Sequence, residues 1–496
     1  MLKIISIDVG TTKIKGAMIS IDEHGDGKPA IIESVDADQY VVRVTPEAHE
    51  NSPNYILDTM KKIIAHFTRV HGKPDALSFS SYLFTMTLAD DRGEYISNVI
   101  TWLDERPKKI LDEIKPYAKE IYRRTGVPPI YIYSLPKILY LRRYNPELLK
   151  RARYFLDSKS MITLHFLGYP ITDYSTASGT YQMLNISKVW WDDLALQLAG
   201  IDEKMLPELA EGDHVEYVRS SIAREIGIEE KTPLVLSLYD GGSMIYALTG
   251  RSPGIGVVNL GTSAMIRVVH DKPIVDDADK MRFNAYYFYK RTWIPGGSTN
   301  NAGIALEYAT KLLNMEGPSA FELLYKLKVE DLTSRKPRPY VLPLLYPERI
   351  PFIGKDLGMS IIGIKTFNCT ATDILISTLE GIIILLWLFA DAMKENSIDF
   401  KEVRAGGSIT KIPLTLEILA GVLNRPVSSL DTPHISHIGN SAMALDALDP
   451  KEGAKFRKSI EAMATNNTIK PNANLVELYN SLKPIVRRYL ELLYGP

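Results

Sequence analysis

The chain has 496 residues, too many for one ordinary hydrophobic core and enough for two large domains. With 45% hydrophobic and 24% charged residues and a formal net charge of −1, it reads as a globular protein with no overall field to attract nucleic acid or an anionic membrane surface. A single cysteine, Cys369, excludes an intramolecular disulfide and a cysteine metal cluster, so a reducing, cytoplasmic setting is expected.

The opening residues run straight into a strand pattern without the apolar core and cleavage site of a signal peptide. Residues 2–9, LKIISIDV, are apolar and β-branched, as in a buried strand. Gly10-Thr11-Thr12 follows, then a second strand KIKGAMISID, the turn-rich EHGDGKP, and a third strand AIIESV at 30–35. Helical spacing of Ile56, Met60, Ile63, Ile64 and Phe67 predicts a helix over 54–71, and ALSFS at 76–80 a further strand. Helices are expected to dominate 107–125 and 135–168, and TPLVLSLYDGG at 232–242 reads as a buried strand ending in an acidic-glycine turn. The most apolar stretch, Ile382 to Ala390, is bracketed by Glu380 and Asp391 and falls well short of the roughly 20 residues that span a bilayer. It is expected to be a buried core helix, and no membrane association is expected.

One element is repeated. GIGVVNLGTSAMIRVVHDKP at 254–273 reproduces the opening MLKIISIDVGTTKIKGAMISID: apolar strand, polar residue, apolar residue, Gly-Thr, a hydroxyl residue, apolar strand. Asp8 aligns with Asn259, Gly10 with Gly261, Thr11 with Thr262 and Thr12 with Ser263. Two copies half a chain apart argue for two similarly built domains, divided here as 1–247 and 248–496.

Glycine at a hairpin turn lets backbone N–H groups approach an anion without obstruction from a Cβ atom. Thr11, Thr12, Thr262 and Ser263 add hydroxyl donors, and Asp8 adds the charge that could hold Mg²⁺, a metal that keeps much of its water. Two such turns facing each other would clamp a triphosphate. There is no G-x-x-x-x-G-K-[ST] loop and no G-x-G-x-x-G fingerprint in its required context, which removes the two commonest nucleotide readings. The nine histidines show no zinc-ligand spacing.

These residues bring out a resemblance to the FGGY carbohydrate kinases over nearly the full length. Asp8-Val9-Gly10-Thr11-Thr12…Lys15 is similar to the family's first phosphate motif and GTSAMIRVV to its second. ITWLDER at 100–106 is similar to its W-x-D-x-R segment, SLPKILYLRRYNPE at 134–147 to its P-x-x-K signature with Tyr140 in place of Trp, and RAGGS at 404–408 to its adenosine-side glycine motif. Within the family, SFSSYLFTMTLADDRGEYISNVITWLDER, ITDYSTASGTYQMLN, LYDGGSM and WIPGGSTNNAGIALEY resemble the gluconate-phosphorylating members. Two departures stand out: Tyr82-Leu83-Phe84 replaces a substrate-side Met-His pair, and Ile409, Pro413 and Leu414 replace polar or Trp/Gln positions beyond Gly407-Ser408.

The resemblance implies an α/β fold of two actin-like (ribonuclease H-like) domains, each a five-stranded mixed sheet flanked by helices, with a cleft between them. It implies an ATP-dependent kinase using Mg²⁺, with gluconate as the expected acceptor and 6-phosphogluconate as product. A pentulose or polyol kinase is the alternative within the family; an actin-like ATPase or a non-catalytic sugar sensor is the alternative outside it. Read by itself, Asp240 before Gly241-Gly242 is a good turn; the resemblance makes it the general base. The resemblance likewise implies sugar contacts from Ser81, Tyr82, Asp104, Arg106 and Asp240, with Lys137 a weaker candidate. Arg106 offers a fork suited to a carboxylate, or else a structural ion pair within DERPKK. Nucleotide contacts are expected from Gly10, Thr11, Thr12, Lys15, Gly261, Thr262, Ser263, Asn300, Asn301, Gly406, Gly407 and Ser408, and the metal contact from Asp8. Lys13 and Lys15 compete for the phosphate role, Trp102 reads as packing, hinge motion is expected around 245–256, and a homodimer is left open.

Overall fold

The structure, a computed structural model, describes residues 2–21, 28–315, 318–333, 338–351, 356, 358–366, 369–430, 432 and 434–494. The EHGDGKP turn therefore lies largely outside the described residues.

The first sheet starts with β1 (Leu2–Val9), β2 (Lys13–Ile21) and β3 (Pro29–Asp38), an antiparallel meander as predicted. Helix α1 (Pro53–His71) follows, with the Ser52 hydroxyl accepting from Tyr55 N–H at its start and Pro53 in its first turn. It packs on β2 at Gly16, where a Cβ would stand 2.4 Å from Ile63 Cγ2. β4 (Ala76–Ser81) runs parallel to β1, and helix α2 (Ser158–Leu167) covers part of this face. The 135–168 stretch is less helical than expected. Strand Tyr154–Leu156 interrupts it and pairs with Thr87–Ala89, a partner remote in sequence and invisible to local periodicity.

β5 (Val215–Tyr217) and β6 (Pro233–Val235) complete the sheet in the order β5-β6-β4-β1-β2-β3. The strand expected over 232–242 stops at Val235, and Asp240 opens helix α3 (Asp240–Thr249). Gly241 and Gly242 mark a helix start beneath an aromatic ring: Cβ atoms there would lie 2.9 and 3.0 Å from Tyr239.

The second half repeats the plan. β7 (Ile255–Leu260), β8 (Ala264–Val268), β9 (Asn284–Tyr287), β10 (Trp293–Thr299), β11 (Glu402–Gly406) and β12 (Val427–Ser429) form the order β9-β10-β8-β7-β11-β12. Each sheet thus holds the expected five-stranded mixed core plus one added edge strand, six in all. β5 extends the first sheet antiparallel to β6, and β9 extends the second antiparallel to β10, at the opposite edge. These short strands lack the apolar length that would have announced them.

The apolar stretch at 382–390 sits in a longer helix than its composition suggested, Ala371–Glu395, capped by reciprocal Thr370–Asp373 hydrogen bonds. Its length and apolarity would suit a membrane span, but 83% of its most apolar window is buried against the second sheet and neighbouring helices.

Helix α4 (Ile435–Leu448) follows the second sheet in sequence yet packs on β1 and β4 of the first. It crosses α3 at Gly439, where a Cβ would approach Ser243 O to 1.9 Å. One apolar cluster runs through the crossing, joining Ile4 and Ala76 of the first sheet to Val257 of the second through Met244, Ile438 and Met443. At its polar centre the fully buried Asn440 donates to Ser6 and Ser80 hydroxyls, both at 3.0 Å, and accepts from Ser237 at 2.8 Å and Ser243 at 2.7 Å.

Candidate active site

A cleft of about 640 Å³ lies where the two hairpins, the start of α3 and the start of α4 meet. Asp8 and Asp240 both line it. Asp8 stands at the end of β1, where its two carboxylate oxygens accept from Ser80 Oγ at 2.8 Å and Ser436 Oγ at 3.0 Å.

Asp240 is partly exposed to the cleft, and its Oδ1 accepts from the N–H of Gly241 at 2.7 Å. Burial among protein atoms, reinforced by the negative charge of Asp8, pushes its carboxyl up to about 7; the Gly241 hydrogen bond and the charges of Lys15 and Lys159 act the other way. A carboxylate poised near neutrality suits proton abstraction from an alcohol.

The two turns hold their carbonyls in similar ways. In the first, Gln39 donates to Thr12 O (2.8 Å) and Gly10 O (2.9 Å), and Trp102 Nε1 donates to Thr11 Oγ1 (3.0 Å). In the second, Gly303 N donates to Gly261 O (2.9 Å), and Ala302 N and Ile304 N donate to Thr262 O, both at 3.3 Å. With carbonyls so engaged, the turns are left to meet an anion with N–H and hydroxyl groups.

Thr11, Lys15, Ser263, Gly407 and Ser408 line the cleft; Gly10, Thr12, Gly261, Thr262 and Gly406 stand behind them in the turns and strand ends. Gly407 has φ +103° and leaves a Cβ no room, 2.4 Å from Leu260 O. Ser408 opens a short 3₁₀ turn to Lys411, while Ile409 and Leu414 are core residues and Pro413 starts the following helix. Of the two lysines, which share a face of β2, Lys13 pairs with Asp36 at 2.5 Å and Lys15 lines the cleft.

On the sugar side, Tyr82 lines the cleft with its hydroxyl on Asn51 Oδ1 at 2.9 Å. Ser81 is fully buried off the cleft wall, its Oγ without a partner. Asp104 and Arg106 face one another: Asp104 is fully buried and accepts from Arg106 Nε (2.9 Å) and Nη2 (2.6 Å), and Glu50 takes the other contact to Nη2. Neither lines the cleft, so of the two readings of Arg106 the geometry realises the ion pair. Lys137 is fully buried and donates to the carbonyl oxygens of Phe84 and Ile100; burial lowers its pKa to about 7. Trp102 does reach the cleft.

Asn301 is buried, and both Asn300 and Asn301 are hydrogen-bonded to the segment 346–348. Asn300 N donates to Glu348 Oε2 at 3.1 Å; Asn301 Nδ2 donates to Tyr346 O and Glu348 Oε1, both at 2.7 Å. They fasten the segment that carries Arg349 to the cleft.

Several residues went unread in the sequence. Ser436 and Asn440 come from a helix that reads as core, with a lone asparagine in an apolar run as the only local signal. Lys159, 2% exposed, donates to the carbonyls of Leu236, Ser237 and Leu238 at 2.9–3.0 Å and pairs with Asp173 at 3.0 Å. It shapes the loop that delivers Asp240. Arg267 and Arg349 also line the cleft.

Duplicated sheets closing on paired glycine turns and two carboxylates form a cleft that suits a polyphosphate beside a proton-accepting carboxylate. Residues 3–245 match the N-terminal domain and residues 256–448 the C-terminal domain of the FGGY family of carbohydrate kinases, and the chain belongs to that family. It is 27% identical over 468 residues to a gluconokinase of Bacillus subtilis, covering 89% of this chain and 87% of the relative. It is 24% identical over 436 residues to a xylulose kinase of Lactococcus lactis, covering 86% and 83%. Among solved structures it resembles a ligand-bound xylulose kinase from Lactobacillus acidophilus (TM-score 0.90, 25% identity, 100% and 99% covered). It also resembles a gluconate kinase from the same organism (TM-score 0.88, 25% identity, 99% of both chains covered).

Proposed function

We propose that this carbohydrate kinase transfers the γ-phosphoryl group of ATP to a hydroxyl of D-gluconate, giving 6-phosphogluconate, with Asp240 as general base. The observation that carries the reading is the carboxyl of Asp240, raised toward neutrality at the mouth of a cleft that it shares with Asp8 and both glycine turns. Asp240 accepts the proton of the attacking hydroxyl, while Lys159 holds the preceding carbonyls so that the carboxylate stays in place. Residues 1–247 supply the sugar side, the base and the first turn; residues 248–496 supply the second turn and the Gly406-Gly407-Ser408 surface for adenosine.

Among the described residues no group of three or more His, Cys, Asp or Glu side chains could hold a metal. Asp8, with both oxygens already hydrogen-bonded to serines, therefore suits a Mg²⁺ that brings most of its ligands as phosphate oxygens and water. Bound there, the ion would neutralise phosphate charge. Lys15, Thr11 and Ser263 orient the phosphates by charge and hydrogen bonding, and positioning of this kind accounts for most of the rate in phosphoryl transfer.

The choice of gluconate leans on the relatives, among which xylulose kinases also stand. A coupled ADP-release assay across gluconate, xylulose, ribulose, glycerol and erythritol tests it. Turnover with gluconate exceeding the others is expected; turnover with a ketopentose and none with gluconate would end the sugar-acid reading.

A further inference from the structure

Among the described residues, the arginines with little-exposed side chains pair with carboxylates, with one exception at the cleft. Arg106 pairs with Asp104 and Glu50, Arg338 with Glu380, and Arg404 with Glu402 and Glu461. Arg267, in β8, is 4% exposed and lines the cleft. Its Nη1 donates to Ile294 O at 2.8 Å and its guanidinium lies 4.2 Å from the Tyr286 ring centroid, but no carboxylate among the described residues pairs with it. An unpaired buried charge is costly and is retained where something else compensates it.

A second guanidinium shares the cleft. Arg349 lines the same cleft, stacked 4.6 Å from the Trp102 ring and 5.4 Å from Phe84. Its neighbour Glu348 does not neutralise it, because that carboxylate is buried and taken by Thr299, Asn300 and Asn301. Phe84, Trp102, Tyr133, Tyr239 and Tyr286 belong to one apolar cluster, so both guanidiniums rest on the same aromatic wall of the cleft. Tyr239, beside Asp240, has a buried hydroxyl without a partner and packs edge-on to Tyr286 at 6.4 Å.

The room for this arrangement is written in β10. A Cβ on Gly296, which pairs with Arg267, would lie 2.8 Å from Arg267 Cγ and 2.1 Å from Ile266 O. The Gly-Gly-Ser-Thr-Asn-Asn segment thus has two tasks. Its first glycine admits the Arg267 side chain, and its asparagines anchor Glu348 beside Arg349.

We propose that Arg267 and Arg349 form the carboxylate-reading subsite of this kinase, binding the acid end of an aldonate while its far hydroxyl faces Asp240. The inference rests on the sugar-acid reading and moves the specificity role from Arg106, whose fork is held by Asp104 and Glu50, to two guanidiniums that have no such partner among the described residues. Planar forks suit a carboxylate.

The test compares gluconate with gluconamide, its uncharged counterpart, for wild type, R267Q and R349Q, reading kcat, KM for each acceptor and KM for ATP. The wild type is expected to prefer gluconate by about 100-fold in kcat/KM, the scale of a charge-assisted bidentate contact. Each variant is expected to lose most of that preference through KM for gluconate, with R267K keeping part of it. If wild type prefers gluconate and both variants keep the preference, or shift KM for ATP instead, the subsite is wrong and the sugar-acid reading stands. If wild type phosphorylates a ketopentose and no aldonate, both fall together. Should R267Q fail to fold, R349Q, on a partly exposed side chain, decides the matter alone.

Discussion

The two hairpins share an antiparallel strand pair but differ in turn and in chemistry: four residues separate the paired Val9 and Ile14, and three separate Leu260 and Ala264. In the first, Asp8 pairs in register with Ser80, which donates to it; in the second, Asn259 pairs with Gly406, which has no side chain to donate. Charge and donor are therefore present together in the first copy and absent together from the second. The space beside Asn259 is given to the Gly407 turn, where a Cβ would lie 2.7 Å from Asn259 Oδ1. The surroundings differ as well: α4 brings Ser436 to the first hairpin, whereas the second is fastened to the start of helix Gly303–Leu312. The two copies of the element thus differ as a charged hairpin and a neutral, donor-only one.

The comparison can be broken by exchanging the residues that differ. Asp8→Asn turns the first hairpin into a likeness of the second and is expected to lower kcat by roughly 100- to 1,000-fold, with a raised Mg²⁺ requirement in steady-state kinetics. The same carboxylate raises the pKa of Asp240, so the pH profile reports on it. Because the base must be ionised, kcat/KM is expected to fall about tenfold per unit as pH drops below about 7, and to hold level above it. In Asp8→Asn the residual activity should show that limb displaced to lower pH. The linked stability has the opposite sense: a carboxyl raised from 3.8 to about 7 favours the folded state while protonated, a contribution lost as pH rises through that window.

Smaller effects sharpen the picture. Asn440→Leu leaves four serine hydroxyls short of a partner at the helix crossing and should destabilise by about 3 kcal/mol in urea unfolding. Asn259→Asp adds a carboxylate facing the phosphate side and should weaken nucleotide binding by only several-fold, about 1 kcal/mol, read by calorimetry.

Much of this was legible in the sequence because the repeat carries its own geometry: apolar strands, a glycine turn and hydroxyl residues fall in the same order twice. The helix over 54–71 and the first strands were readable from spacing within one element. What escaped depends on contacts between distant parts of the chain. Nothing local announces that Lys159 holds the loop before Asp240, or that Ser436 reaches Asp8 across 428 positions. Arg106 shows the same limit in reverse. Its neighbours in sequence suggested a sugar-facing fork or an ion pair, and the contact that completes its pairing comes from Glu50. Asp-Gly-Gly was read as a turn because glycine commonly ends strands; here it begins a helix, and its glycines leave room for the Tyr239 ring over the first turn.

The central claim is that Asp240 takes the proton from the sugar hydroxyl in a cleft assembled by both hairpins. Phosphate transfer from labelled ATP to the acceptor by Asp240→Asn, with nucleotide affinity measured on the same preparation, tests it most directly. The account predicts a loss of roughly 100- to 10,000-fold in kcat with ATP binding retained. Transfer at the wild-type rate would contradict it.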